Sequence, residues 1–203
     1  MPRVTRRGPF NWELPDQGFD GLHYAGSVPV GAQDMRRATD NAQARLEAAK
    51  AGGFRRFERT EAVQWTKDVK GCLAEAIGVP LADIVAMDRR EPFASTAPVA
   101  DQPIRDVDVT IGCRRFDIKA SCDRLPGIQE RNDRYFAVNA DQLSRYESLG
   151  YDGLMFVRIV KEGKLADVWF VSLQEVRRAK RHPAVTENVS DWYAVTIPRT
   201  TDA

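Results

Sequence analysis

The sequence predicts a mixed α/β domain of the α+β kind, with helices set against a central sheet. Three observations lead there. Apolar residues recur at helical spacing through residues 34–51 and 61–77. The pattern then changes to an alternation of charged and apolar residues in the segments 104–111 and 115–120, which is strand behaviour. A near-continuous apolar run, Leu154-Met-Phe-Val-Arg-Ile-Val160, reads as a buried strand.

The elements follow in order. Residues 1–33 hold many Pro and Gly, lack periodicity, and read as an irregular arm anchored by Phe10, Trp12, Phe19 and Tyr24. Residues 34–203 read as a single domain, with a helical extension ahead of a core at about 60–175. Asp34 caps a first helix to Ala51, with Met35, Ala38, Ala42, Leu46 and Ala49 as its apolar stripe. Thr60 caps a second helix over Glu61 to Ile77, which Gly78 and Pro80 end, and Leu81 to Met87 reads as a short third helix. Phe93 to Pro103 shows no clear pattern.

Two alternating segments, Ile104–Ile111 and Arg115–Ala120, flank Gly112-Cys113 and form a β-hairpin. A polar loop at 121–134 and a short strand at Tyr135–Val138 follow. A helix then runs to Leu149 and stops at Gly150. The buried strand 154–160 turns at Glu162-Gly163 into Ala166–Ser172. A helix at Leu173–Arg181 and a strand at Trp192–Ile197 complete the chain.

Composition excludes several classes. Mean hydropathy is −0.44 and no apolar run nears the roughly 20 residues of a spanning helix, which argues against a membrane protein. The basic start, Met1 to Gly8, leads into no apolar segment, so no signal peptide is read. Cys72, Cys113 and Cys122 are an odd set without C-x-x-C spacing, and read as free thiols in a reducing cytoplasm. Only two histidines are present, and P-loop, Rossmann glycine and nucleophile-elbow patterns are missing.

The net charge is +1, but 23 of the 30 basic residues are arginine, often in pairs. Codon usage in a GC-rich genome accounts for most pairs, and a neutral total still allows a local basic groove. The densest run, Arg177-Arg178-Ala-Lys-Arg181, suits either a phosphate backbone or a helix C-terminus. Trp65 and Trp169 read as core; for Trp12 and Trp192 core and stacking roles both stay open.

The hairpin carries the informative face. Val107, Val109, Ile111, Phe116 and Ile118 point to one side, and Asp106, Asp108, Asp117 and Lys119 to the other. With the turn centred on Gly112-Cys113, Asp108 lies across from Asp117 and Asp106 across from Lys119. Like charges directly opposed destabilise a sheet, so such a pair calls for a divalent cation or a raised pKa. A lysine beside it would position a water or balance its charge. The tripeptide alone carries no weight: 29 acids and 7 lysines among 203 residues give about one acid-x-Lys match by chance, and three occur. Only Asp117-Ile118-Lys119 sits on a strand with an Asp on its partner strand.

Asp108 followed by Asp117-Ile118-Lys119 resembles the motif of the PD-(D/E)XK nuclease superfamily, without its lead-in proline. The order of a helix, a motif hairpin, a helix and a strand is also similar. Gln142-Leu-Ser-Arg-Tyr146 resembles the Q-x-x-x-Y motif of RecB-like members, and about 0.2 such pairs are expected from 8 Gln and 5 Tyr. It reads equally as an ordinary i,i+4 helix pair. No histidine suits the RecB-like upstream position, and no iron–sulfur cysteine set is present.

The resemblance implies a restriction-endonuclease-like fold and a DNA nuclease dependent on Mg²⁺, or Mn²⁺ in its place. It further implies an endonuclease of the restriction or resolvase kind, with a RecB-like exonuclease or a non-catalytic nucleic-acid-binding relative as alternatives. Asp108, Asp117 and the Ile118 carbonyl would hold the metal, with Asp106 assisting a second one. Lys119 would orient the attacking water, and Gln142 and Tyr146 would belong to the site. Glu61 is the candidate helix carboxylate and Glu75 the second choice, although Glu61 equally suits a helix N-terminus. DNA, a second copy of the chain in a homodimer, and an additional specificity subunit are the partners implied.

Overall fold

A mixed six-stranded sheet organises the chain in the computed structural model, which describes residues 19–51, 61–95, 108–122, 135–160, 164–184 and 190–197. The elements begin with β1 (Leu22–Pro29), α1 (Ala32–Ala51), α2 (Glu61–Arg89) and β2 (Phe93–Ser95). The hairpin β3 (Asp108–Ile111) and β4 (Arg114–Cys122) follows, then β5 (Tyr135–Asn139) and α3 (Ala140–Ser148). The chain ends with β6 (Gly153–Val160), β7 (Leu165–Ser172), α4 (Leu173–Arg178), β8 (Lys180–His182) and β9 (Trp192–Thr196). The main sheet has the order β1-β7-β6-β4-β3-β2, with β4 and β6 parallel and the other neighbours antiparallel. A second, antiparallel sheet has the order β5-β9-β8. The mixed α+β class is therefore as the sequence predicts.

Strand alternation divides the main sheet into two faces. Phe116 and Ile118 of β4 and Met155, Val157 and Ile159 of β6 join Ala38, Ala42, Leu73, Ile77 and Leu81 of the two long helices in one core. Leu154, Phe156, Trp169 and Val171 face the other way, and meet Leu143 and Tyr146 of α3 and the inner side of the small sheet. There Phe136 stacks on Phe156 with ring centroids 4.1 Å apart. Asp117 and Lys119 alternate with Phe116 and Ile118, so they belong to this second face. No helix among the described residues is long and apolar enough to cross a membrane.

Several expectations are corrected. Residues 22–29, read as part of an irregular arm, form the edge strand β1 against β7, with a bulge between Tyr24 and Gly26 that breaks the alternation. The second helix does not end at Gly78-Pro80 but runs through Pro80 to Arg89, absorbing the expected third helix. A proline inside a helix costs about 3 kcal/mol. Burial of Ile77, Leu81 and Val85 around it returns roughly 1.5–3 kcal/mol each, which outweighs the break. Gly78 is there for contact: a Cβ on it would stand 3.1 Å from Ile118 Cδ1 and 3.4 Å from Met155 Sδ.

The other two corrections concern short strands. Phe93–Ser95 forms β2 by pairing with β3, with no alternation long enough to announce it. The last helix stops at Arg178 rather than Arg181, because Lys180–His182 is drawn into the small sheet by β9. Asp34 also differs slightly from its expected role. It lies inside α1, and its carboxylate accepts the Gly31 N–H at 2.8 Å. The loop 123–134, with Arg124, Arg131 and Arg134, lies outside the described residues, as do Trp12 and Asp106.

Candidate active site

The hairpin turn sets the register of the site. Gly112 takes a φ of 63° at the first central position, which a type II′ turn requires, and its N–H donates to the Pro92 carbonyl at 2.8 Å. From that turn the pairing runs Ile111 with Arg114, Val109 with Phe116 and Asp108 with Asp117. The two aspartates are thus directly opposed, as the sequence predicts. Directly opposed residues place their Cβ atoms about 4.5–5.5 Å apart. The Asp108 and Glu61 side chains lie outside the described part; the Asp108 backbone begins β3 and the Glu61 backbone begins α2.

Asp117 is fully buried. Its Oδ2 accepts a hydrogen bond from the Tyr146 hydroxyl at 3.0 Å, and Lys119 Nζ stands 2.8 Å from the same oxygen. Nζ also lies 5.2 Å from the centre of the Tyr146 ring, so the phenol touches both members of the pair. The Lys119 side chain keeps 18% of its surface exposed, against 1% for Asp117, so the ammonium is the part of the pair that reaches solvent.

Tyr146 arrives there through α3. Asn139 takes an extended conformation before the helix, and Leu143 and Tyr146, three residues apart, turn together toward the sheet. The C-terminal turn closes with Gly150 at a φ of 70°. Tyr146 also packs against Tyr151, and the Arg115 guanidinium lies 4.2 Å over the Tyr151 ring. Gln142 lies one turn before Tyr146, half-buried, and makes no hydrogen bond to Asp117 or Lys119 among the described residues. Of the Gln–Tyr pair, the tyrosine is the one that hydrogen-bonds Asp117.

Glu75 is not brought to Asp117. It pairs with Arg45 of α1 at 2.6 Å, on the helix layer behind the opposite face of the sheet. Asp68 of the same helix as Glu75 is buried, at 9% exposure. The basic run is likewise turned to internal partners. Arg177 Nε donates to Glu147 at 2.7 Å, Arg178 pairs with Asp20 at 3.0 Å and Arg181 with Asp191 at 2.8 Å. The hydrogen bond from Arg177 holds the Glu147 carboxyl below its ordinary pKa. Burial pushes the Asp20 carboxyl up, but hydrogen bonds from Arg178, Ser172 and the Gly21 amide outweigh it and leave it lowered.

A polar row missed in the sequence lies beside the site, one step beyond Lys119 on the same face. Register aligns Ser121, Arg158, Asp167 and Ser27 across β4, β6, β7 and β1. Arg158 donates to Asp167 at 2.9 Å, and both are buried. Ser27 donates to the other Asp167 oxygen and meets the Tyr24 hydroxyl at 2.6 Å. The only sequence signal is a single arginine interrupting the apolar run 154–160.

The residues present suit a hard divalent cation in kind. Mg²⁺ takes one or two carboxylates, keeps several waters and completes its shell with phosphate oxygens. Asp117 supplies one carboxylate, register sets the Asp108 backbone directly across from it, and the Ile118 carbonyl lies between Asp117 and Lys119 in the chain. Among the described residues no group of three or more His, Cys, Asp or Glu comes together. Cys72 and Cys113 are free thiols. Comparison of the chain with known protein families, with curated proteins and with solved structures finds no match. The geometry of the Asp117 site and the order of the elements therefore carry the functional argument.

Proposed function

We propose that this chain is a Mg²⁺-dependent nuclease that hydrolyses phosphodiester bonds in DNA, an endonuclease of the restriction or resolvase kind. The observation that carries the reading is the opposition of Asp108 and Asp117, with Lys119 Nζ 2.8 Å from Asp117. The order of the elements supports it: the helix α2, the motif hairpin of β3 and β4, then, after the short strand β5, the helix α3 and the strand β6. That is the sequence of elements that the PD-(D/E)XK resemblance implies.

In this reading Asp108 and Asp117 would hold the cation, which would supply Lewis acidity at the scissile phosphate and an acidified water. Lys119 orients that water, or balances the negative charge that grows on the phosphate oxygens as the bond to water forms. Tyr146 holds the Asp117 carboxylate in one rotamer through its hydroxyl. DNA is the substrate, and a homodimer, with or without a specificity subunit, is the assembly that would cut both strands.

The test is cleavage of supercoiled plasmid, linear duplex and single-stranded DNA with Mg²⁺, Mn²⁺ or EDTA, alongside Asp117→Ala and Lys119→Ala. Metal-dependent cutting that both variants lose is the expected result. Intact DNA under every condition, with a folded protein, would overturn it. A RecB-like exonuclease is the second reading, favoured by the contact of Tyr146 with Asp117. Cutting that needs an end, and spares the closed plasmid, would select it.

A further inference from the structure

The small sheet has an outward face that the hydrolytic reading does not use. Along β9, Tyr193 and Val195 enter the second core, which leaves Trp192, Ala194 and Thr196 outside. Register aligns Ala137, Ala194 and Lys180 in one row, and Asn139, Trp192 and His182 in the next. The His182 ring stacks on Trp192 at 4.3 Å with an interplanar angle of 11°. Tyr135 stacks on the same indole at 5.4 Å and 26°. Three aromatic rings thus form a stack on the solvent side of the sheet, beside a low floor of two alanines.

We propose that this face binds single-stranded nucleic acid, with bases continuing the aromatic stack. Stacking needs flat π faces on the partner, which a single strand presents and a duplex hides. Charge points the same way. Lys180 stands exposed at the end of the alanine row. None of the outward residues in those rows is acidic. Asp191, which precedes Trp192, is engaged by Arg181 and by the Ala184 N–H. A partner with planar rings and a negative backbone fits; an acidic protein surface would use the cations but not the stack.

The experiment uses the full chain in EDTA, so that binding is read without cleavage and does not depend on the proposed nuclease chemistry. The probe is fluorescein-labelled oligo(dT) of about 12 nucleotides, within the span of known stacking surfaces, read by anisotropy at low and moderate salt. Wild type binds, more weakly as salt rises. Trp192→Leu and His182→Ala each weaken binding roughly tenfold, the scale of losing one stacked base. Trp192→Phe keeps most of the affinity, and Lys180→Glu reduces it. His182 and Lys180 lie on a three-residue edge strand, so their variants decide the matter if Trp192→Leu fails to fold. No binding by the wild type, or binding unchanged in His182→Ala and Lys180→Glu, would overturn the proposal. So would self-association of the chain that Lys180→Glu abolishes, which would assign the face to a second copy.

Discussion

The Tyr146 hydroxyl donates to Asp117 Oδ2 at 3.0 Å, across 29 residues of sequence and from a helix to a strand. Lys119 approaches the same oxygen from two positions along the strand. One buried carboxylate oxygen is therefore held by a neutral donor and a charged one. The phenol fixes the rotamer, and the ammonium answers the charge. Burying a carboxylate costs several kcal/mol unless hydrogen bonds and a counter-charge accompany it, and this arrangement provides both.

Tyr146→Phe removes the hydroxyl and leaves the ring beside Lys119. A stability loss of about 1 kcal/mol in chemical denaturation is expected, the usual worth of one such bond. DNA cutting should fall roughly 10- to 100-fold, as when a group that orients a metal ligand is lost. The Mg²⁺ concentration needed for half-maximal cutting should rise with it. A stability loss with unchanged cutting and unchanged Mg²⁺ dependence would leave Tyr146 as a core residue only.

Arg158 and Asp167 form a buried pair that can be taken apart in steps. Arg158→Met alone strands the Asp167 carboxylate in the interior, and a loss of about 3–5 kcal/mol is expected. Combined with Asp167→Leu, stability should return to within about 1 kcal/mol of wild type. Denaturant titration of the two single variants and the double variant reads the cycle. Simple addition of the single effects would show that the two residues are not coupled.

Glu75→Gln separates a structural from a catalytic carboxylate. The Arg45–Glu75 pair joins α1 to α2 with each side chain mostly covered, so its loss should cost about 1 kcal/mol. Cutting per folded molecule should be unchanged, because α2 lies behind the opposite face of the sheet from Asp117. A large fall in cutting would put Glu75 back in the site.

The Arg177–Glu147 pair ties α4 to α3 and carries a pH signature. The Glu147 carboxyl lies below its ordinary value of 4.5 in the folded chain, so its contribution is complete above that pH. It is lost as pH falls through the lowered value. Both side chains are substantially exposed, so the effect is a few tenths of a kcal/mol. Thermal melts of wild type and Glu147→Gln should differ at neutral pH and converge in acid.

Much of this was legible from residue order. The hairpin, its Gly112 turn and the opposition of Asp108 to Asp117 follow from period-two alternation and turn chemistry, which act over a few residues. The strand Gly153–Val160 is legible in its near-continuous apolar run, and the helix Ala140–Ser148 in its stop at Gly150. Lys119 was placed beside Asp117 because residues two apart on a strand share a face.

What local pattern did not decide, tertiary contact did. Pro80 and Gly78 read as a stop, yet burial of the surrounding apolar residues carries α2 through them, and Gly78 meets Ile118. The three-residue strands β2 and β8 exist because a longer partner strand offers its hydrogen bonds, and β1 forms against β7 despite its bulge. The Arg158–Asp167 pair needs strands β6 and β7 brought together in register. The sequence by itself determined which groups share a strand face, because alternation is a property of adjacent residues. Only the folded chain decided which helix covers that face, what Tyr146 touches and where the arginines find their acids, because those contacts join residues that are distant in sequence and are selected by packing.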